Sequence, residues 1–338
     1  MKKLLILLLT TVLLLTLTAC VPKSAGVDIF AMDTYMSLVA YGKNASAALS
    51  DCTQAINALE AEISRTREGS DVDTLNKTGS WTGSAEGTDA TAEILQQALQ
   101  YSAETSELFD VTIAPLVLLW NITGDTPYVP TQEEIDTLLP LVGSDHLHLG
   151  SGNTATLDDG CAVDLGGIGK GYAGDLVRLL WKSHGVESAT VSLGGNVYVR
   201  GSKPDGKPWT VGIQDPNGGD CAAYVSLTDA FVVTSGGYQR YFTADDGTVY
   251  QHILDPRTGA PAVSDLTSVS IITTDSGTRA DAYSTALYVM GETDAIAFWR
   301  AHGDFDMILI TADGRVLYTP DLTSTEPEGS SYDFQAIS

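Results

Sequence analysis

Three groups of residues in this chain have types and spacings that suit chemistry. The first is Asp164-Leu-Gly-Gly-Ile-Gly-Lys-Gly-Tyr-Ala-Gly-Asp175, a carboxylate, closely spaced glycines and Lys170 ahead of the apolar run Leu176 to Trp181. Glycine lets a backbone approach a ligand closely. N–H groups at a helix start, with a lysine, favour an anion, so a phosphate-bearing ligand is the first expectation. The second group is Asp281 and Thr285, four apart and therefore on one helical face. A carboxylate and a hydroxyl there offer hard oxygens to Mg²⁺, although Thr278-x-x-Asp281 also has capping-box spacing. The third is His252, ahead of Asp255-Pro-Arg-Thr-Gly259. The histidine is a candidate proton acceptor, and the segment after it equally suits a turn in which Asp and Thr bond their own backbone.

Familiar motifs do not account for the glycine stretch. Gly169-Lys-Gly-Tyr-Ala-Gly174 matches GxGxxG, but Asp164-Leu-Gly-Gly-Ile stands where a buried strand must lead in. The phosphate loop GxxxxGK[ST] fails at both ends, with Asp164 for its first Gly and Gly171 after the lysine. A tight turn with no ligand remains the plain alternative. There is no GxSxG, no HExxH and no zinc pattern. His146 and His148 alternate along an apparent strand, as an exposed face would have them.

Periodicity supplies the elements that must hold these groups. Asp28–Tyr41 reads as a strand with Met32-Asp-Thr34 near its start. Asn44–Ile63 and Asp89–Leu108 read as helices, separated by a long polar loop over 64–88. Pro115 suits the first turn of a short apolar helix, and Thr131-Gln-Glu-Glu134 opens another that ends near Val142-Gly143. Strands follow around 146–149 and 154–157, then the glycine stretch and its helix to about His184. Beyond Gly185 the chain is mostly strand: 189–193, 196–200, 209–213, 223–227, 231–234, 249–253 and 266–273. A last helix over Arg279–Met290 ends at Gly291, and strands at 307–310 and 316–318 close the domain. The tail 321–338, rich in Ser, Glu and Pro, is expected to be disordered.

At 338 residues and 43% hydrophobic content the chain can bury a large core, and nothing in its composition forces a domain boundary. A formal charge of −25 argues against nucleic acid as a partner. Lys2-Lys3 and the apolar run Leu4 to Ala19 form a signal segment, residues 1–19, too short for a comfortable membrane span. Its end, Leu17-Thr-Ala-Cys20, resembles the bacterial lipobox, which makes Cys20 the expected lipidation site and 20–27 a tether. The mature chain is then expected to be anchored to a bacterial cell membrane on its extracytoplasmic face. Cys52, Cys161 and Cys221 are odd in number and lack CxxC spacing; they read as small buried or half-buried residues, with one disulfide left open.

Taken in order, six motifs converge. They are Phe109-Asp-Val-Thr-x-x-Pro-Leu-Val-x-x-Trp120, Asp164-Leu-Gly-Gly-Ile-x-Lys-Gly-Tyr172, Leu193-Gly-Gly-Asn196, Ser235-Gly-x-Tyr238, His252-x-x-Asp-Pro-x-Thr-Gly259 and Ala280-Asp-Ala-x-Ser-Thr-Ala286. Together they resemble the ApbE family of FAD:protein FMN transferases, many of them lipoproteins, over about Asp28 to Tyr318. The resemblance implies a single α+β, T-fold-related domain over 28–320. It would have two lobes, a mixed or antiparallel sheet with flanking helices, and the flavin site between the lobes. By motif, the FAD contacts would be Met32, Leu108, Phe109, Asp110, Asp164, Lys170, Leu254 and Ser284. Mg²⁺ would be held by the Gly167 carbonyl, Asp281 and Thr285, with His252 and Asp281 as catalytic residues. Three positions depart from the family: Asp33 stands where it usually has Gly, Thr66 near a position that can offer an aromatic ring, and Gly169 for a frequent Ala.

The activity this implies is Mg²⁺-dependent transfer of FMN from FAD to a Thr/Ser hydroxyl of a second protein, with release of AMP. Acceptors would carry an Asp/Ser-Gly-Ala-Thr/Ser type motif, as in membrane redox-pump subunits or exported reductases; this chain has no such motif. Two rivals use the same residues: an FAD pyrophosphatase giving free FMN and AMP, and a non-catalytic flavin-binding lipoprotein.

Overall fold

The computed structural model describes residues 23–84 and 89–338, so Cys20, the signal segment and the first residues of the expected tether lie outside it. The described chain opens with a hairpin, β1 (Ser24–Ala31) and β2 (Thr34–Tyr41), in antiparallel register. Met32 and Asp33 make its turn, both left-handed at φ 50° and 56°, as the favoured two-residue hairpin turn requires. The single strand expected over 28–41 is therefore two. Without a glycine in the turn, the sequence carried little sign of the reversal. Residues 24–27, assigned to a tether, are already paired with β2.

Helix α1 (Ala45–Ile63) follows, and then α2 (Asp71–Thr78) and β3 (Ser80–Thr82) occupy part of the expected polar loop. Helix α2 is capped by Ser70, which accepts from the Asp73 N–H, and ends at Gly79. It buries only Val72 and Leu75, too little periodicity to stand out in sequence. Next come α3 (Ala90–Glu104), α4 (Ala114–Trp120) with Pro115 in its first turn, and α5 (Gln132–Leu138), opened by the Thr131–Glu134 capping box. Strands β4 (Leu147–Gly150) and β5 (Thr154–Leu157) lead to α6 (Gly169–Ser183), β6 (Ser188–Leu193), β7 (Asn196–Arg200), β8 (Trp209–Gln214) and β9 (Cys221–Leu227). Strands β10 (Ala230–Ser235), β11 (Tyr241–Thr243), β12 (Val249–Gln251) and β13 (Leu266–Thr273) precede α7 (Gly277–Met290) and α8 (Glu292–His302). The chain closes with β14 (Asp306–Thr311), β15 (Arg315–Tyr318), β16 (Ser324–Thr325) and β17 (Asp333–Ala336).

Among the described residues the largest sheet has the strand order β1-β2-β6-β7-β10-β13-β14-β15-β17, antiparallel except for the β15–β17 pair. Both faces of its middle are covered, and the alternation along each strand divides the core. Phe231 and Val233 of β10, Ile271 of β13, and Met307 and Leu309 of β14 face the layer of α1, α6 and α7. Val232, Ile272, Ile308 and Ile310 face the smaller β16-β9-β8 sheet, packing on Val211, Ile213, Ala223 and Val225. This two-sided burial explains why these strands read as unbroken apolar runs. Helix α7 is buried on almost every side, as a helix without a polar face must be. A third cluster joins α4 and α5 to the 250–254 strand end through Leu116, Trp120, Ile135 and Leu254, with the Trp120 indole N–H donating to the Gly259 carbonyl at 2.8 Å.

The expectation of a disordered tail over 321–338 is corrected. β16 pairs with β9, β17 runs parallel to β15, and Leu322, Tyr332 and Ile337 are buried. The Tyr332 hydroxyl donates to Asp215 at 2.6 Å. Four apolar anchors, Phe334 the fourth, outweigh a Ser/Glu/Pro composition because composition averages over residues while burial acts on each one. The sheet therefore extends beyond both ends of the 28–320 boundary. Cys52, Cys161 and Cys221 are all free thiols. Among the described residues no helix is long and apolar enough to cross a membrane.

Candidate active site

A cleft of about 1130 Å³ opens where the β1–β2 turn, the end of α1, the 108–110 segment, the 164–170 loop, the end of β10 and the 252–254 segment meet α7. It lies just above the usual range of small-molecule pockets. Met32, Leu108, Phe109, Asp110, Asp164, Gly167, Lys170, His252, Leu254, Asp281 and Thr285 all line it. Ser284 does not; it is buried behind Ser235, its hydroxyl 2.8 Å from that of Ser235 and 2.9 Å from the Asp281 carbonyl.

The glycine stretch has a packing reason as well as a ligand one. A Cβ on Gly171 would lie 2.3 Å from the Gly277 carbonyl oxygen and 2.8 Å from Asp281 Cβ, so α6 and α7 touch backbone to backbone there. That contact lets the Gly171 N–H donate to Asp281 Oδ2 at 2.8 Å. Asp281 is not a helix cap. Ser276 caps α7, and Asp175 accepts from the Gly277 and Thr278 N–H groups. Burial pushes the Asp281 carboxyl above the usual carboxylate range, opposed by Lys170, whose ammonium is 3.9 Å away, and by the hydrogen bond from the Gly171 N–H. Thr285 stands one turn on, its Oγ1 3.2 Å from Ser235 Oγ. The Gly167 backbone is beside it, since a Cβ there would come 3.9 Å from Thr285 Oγ1.

The groups gathered here, a buried carboxylate paired with one ammonium, a hydroxyl one turn on and the Gly167 backbone beside it, are of the hard-oxygen type that a divalent cation such as Mg²⁺ takes. Among the described residues there is no cluster of three or more His, Cys, Asp or Glu that could hold a metal, so a softer or all-side-chain metal site has no counterpart there.

His252 follows β12, and both its backbone N–H and its ring Nδ1 lie 3.1 Å from the Arg240 carbonyl oxygen. A carbonyl only accepts, so Nδ1 carries the proton and Nε2 keeps a free lone pair. Burial, then the positive charges of Arg240 and Lys170, push this imidazole down to about 4, leaving it neutral near pH 7. The turn reading of the following residues also holds: Asp255 accepts from the Arg257 N–H at 2.9 Å. Asp110 presents a different signal. Its Oδ1 accepts from the Thr112 N–H and hydroxyl, both at 2.7 Å, whereas Oδ2 is buried without a partner and burial raises the carboxyl's pKa. The residue lines the cleft, but this oxygen itself is closed off from solvent.

Residues 32–309 match the sequence profile of the ApbE family. The chain belongs to that family. It is 37% identical over 240 residues to a Treponema pallidum protein named FAD:protein FMN transferase, covering 66% of this chain and 66% of that one, just under two thirds of its length. The fold is similar to a crystal structure of the ApbE protein of Thermotoga maritima (TM-score 0.79, 32% identity, 87% of this chain and 96% of that one). It is also similar to the flavin transferase ApbE of Vibrio cholerae (TM-score 0.75, 27% identity, 90% and 97%).

Against the ApbE motifs, sequence reasoning missed two arginines and a supporting amide. Arg65 Nε meets Asp164 Oδ2 at 2.8 Å, while Asp164 Oδ1 accepts from the Gly166 N–H at 2.8 Å, so the carboxylate is held from both sides. Just before it, the Asn76 amide bonds the backbone N–H and carbonyl of Val163 at 2.7 and 2.9 Å. Arg240, beyond β10, reaches across the cleft mouth to Asp33. None of these partners is close in sequence, so no spacing announced them.

Proposed function

We propose that this protein transfers the FMN moiety of FAD to a threonine or serine hydroxyl of a second protein in a Mg²⁺-dependent reaction that releases AMP. The observation that carries the reading is the meeting, around one cleft, of a neutral His252 with the Asp281, Thr285 and Gly167 oxygens. The naming of its relatives as FAD:protein FMN transferases supports it.

In this reading the acceptor hydroxyl oxygen bonds to the FMN phosphorus, the phosphoanhydride bond breaks, and AMP leaves with the bridging oxygen. The hydroxyl proton passes to His252 Nε2, whose partner nitrogen stays bonded to the Arg240 carbonyl. Lys170 stands near the phosphates as a cation, and Asp164 is held by Arg65 for the flavin-side ligand, with Asp110 on the same cleft wall. Asp281, Thr285 and the Gly167 carbonyl would hold Mg²⁺, which when bound neutralises charge on the pyrophosphate. The acceptor is a protein with an Asp/Ser-Gly-Ala-Thr/Ser type motif, a redox-pump subunit or exported reductase. The Leu17-Thr-Ala-Cys20 sequence supports a lipid anchor at Cys20 on the extracytoplasmic face, tested by palmitate labelling that Cys20→Ser should abolish.

The deciding experiment incubates the protein with FAD and Mg²⁺, with and without an acceptor peptide, following AMP, free FMN and peptide mass. AMP formed only as the peptide gains FMN is the expected result. AMP with free FMN would establish hydrolysis instead, and stoichiometric FAD binding without AMP would end both enzymatic readings.

A further inference from the structure

The turn of the β1–β2 hairpin and the histidine of the cleft lie on different elements, and one arginine joins them. Arg240 Nη1 pairs with Asp33 Oδ2 at 2.9 Å, and its Nη2 donates to the Asp33 carbonyl at 2.8 Å. Through its own carbonyl the same residue accepts from both the backbone N–H and the ring Nδ1 of His252. The turn is held from a second side, because the Met32 N–H donates to Glu60 Oε1 of α1 at 2.8 Å. Asp33 sits at φ 56°, a backbone that aspartate tolerates better than most residues but at some expense. The carboxylate at this position returns an ion pair that glycine could not make. Asp33, Glu60, Arg240 and His252 all line the cleft.

We propose that Asp33 and Arg240 form a clasp across the cleft mouth that acts as a positioning device for His252. It fixes the 236–240 segment so that the Arg240 carbonyl holds the imidazole in one tautomer, with Nε2 as acceptor. Neither residue touches the reacting atoms; both act through the histidine. A carbonyl on an unanchored loop would leave the ring free to exchange tautomers and to rotate away from the incoming hydroxyl. The charged groups facing the ring from the neighbouring elements are Arg240 and Lys170, and Asp33 balances the first. The inference rests on the transferase reading for its catalytic consequence, but not for its structural one.

The test uses the protein with ¹⁵N-labelled histidine, His252 being assigned by His252→Gln. Ring nitrogen shifts are read in wild type, Asp33→Asn, Arg240→Gln, their double variant and Arg240→Lys. Asparagine also tolerates the left-handed turn, so the hairpin survives the first substitution. Wild type should show a single Nδ1–H tautomer. Asp33→Asn and Arg240→Gln should each give mixed tautomers and FMN transfer slowed about tenfold, and only Arg240→Gln, which removes a positive charge facing the ring, should also move the imidazole pKa up toward the ordinary histidine value. The double variant should be no worse than either single one, because both remove the same clasp. Arg240→Lys, which keeps the ion pair, should stay near wild type. A single unchanged tautomer in both Asp33→Asn and Arg240→Gln, or additive losses in the double variant, would overturn the clasp. Wild type that forms neither AMP nor flavinylated peptide would instead overturn the transferase reading, while the ring shifts still decide the positioning role.

Discussion

Asp281 concentrates the electrostatic problem of the site in one residue. It is 3% exposed, in a protein of net charge −25, with its nearest ammonium 3.9 Å away. Because its folded pKa is raised, the linkage sign is that folding binds a proton here. The associated stability is present below the unfolded carboxylate pKa and is lost as pH rises through the folded value. At neutral pH without metal the ionised carboxylate therefore works against folding. Asp281→Asn is expected to leave the metal-free melting temperature near pH 8 no lower than wild type, while transfer falls about 100-fold or more. Mg²⁺ should raise the wild-type melting temperature and not the variant's, and half-saturating Mg²⁺ should rise as pH falls, since proton and cation compete for the same oxygens. Calorimetry with and without Mg²⁺ checks both; a variant still stabilised by Mg²⁺ would remove Asp281 from the metal set.

At the scale of elements, the crossing of α6 over α7 decides where that carboxylate sits. Gly171 and Gly277 let the backbones meet, and the Gly171 N–H then reaches Asp281. Gly171→Ala would set a Cβ 2.3 Å from a backbone oxygen that cannot swing aside. The helices must separate, at a cost of about 1–3 kcal/mol. A lowered denaturant midpoint together with a weakened Mg²⁺ response is the expected outcome. Gly174→Ala is the comparison, because its Cβ would meet the Phe231 ring at 3.2 Å, a contact that small side-chain movement can relieve. Equal effects at the two positions would mean the backbone contact has no special weight. The glycine stretch was legible as a place of close approach. That much of the approach is to a second helix was not legible, because Gly277 lies beyond several intervening strands.

For the whole molecule, the two ends of the described chain belong to the fold that holds the site. β1 supplies the hairpin whose turn forms part of the cleft mouth, and the tail closes the far edge of the same sheet. Removing residues 321–338 would expose the surfaces now covering Leu322, Tyr332 and Ile337, each burial contributing about 1.5–3 kcal/mol at most. The truncated protein should unfold at a clearly lower denaturant concentration, and an unchanged midpoint would show the tail to be dispensable. Most elements beyond Gly185 were legible because strand alternation and turn residues are local signals. Helix α8, strand β11 and the tail strands were not read: β11 spans only Tyr241–Thr243, α8 buries only Ala295, and the tail strands are completed by the distant β9 and β15.

By itself, the sequence determined the element types over most of the chain, the ordered motifs of the ApbE family and the residue types a metal-assisted phosphoryl transfer needs. These depend on periodicity and on side-chain chemistry, both of which are written locally. The tertiary structure alone decided which groups meet: Arg65 with Asp164 across 99 positions, Gly171 with Asp281 across 110, and Arg240 with Asp33 across 207. The physical reason is that an ion pair or a backbone contact needs closeness in space. Chain folding supplies that closeness without leaving any mark in the spacing of the residues that make it.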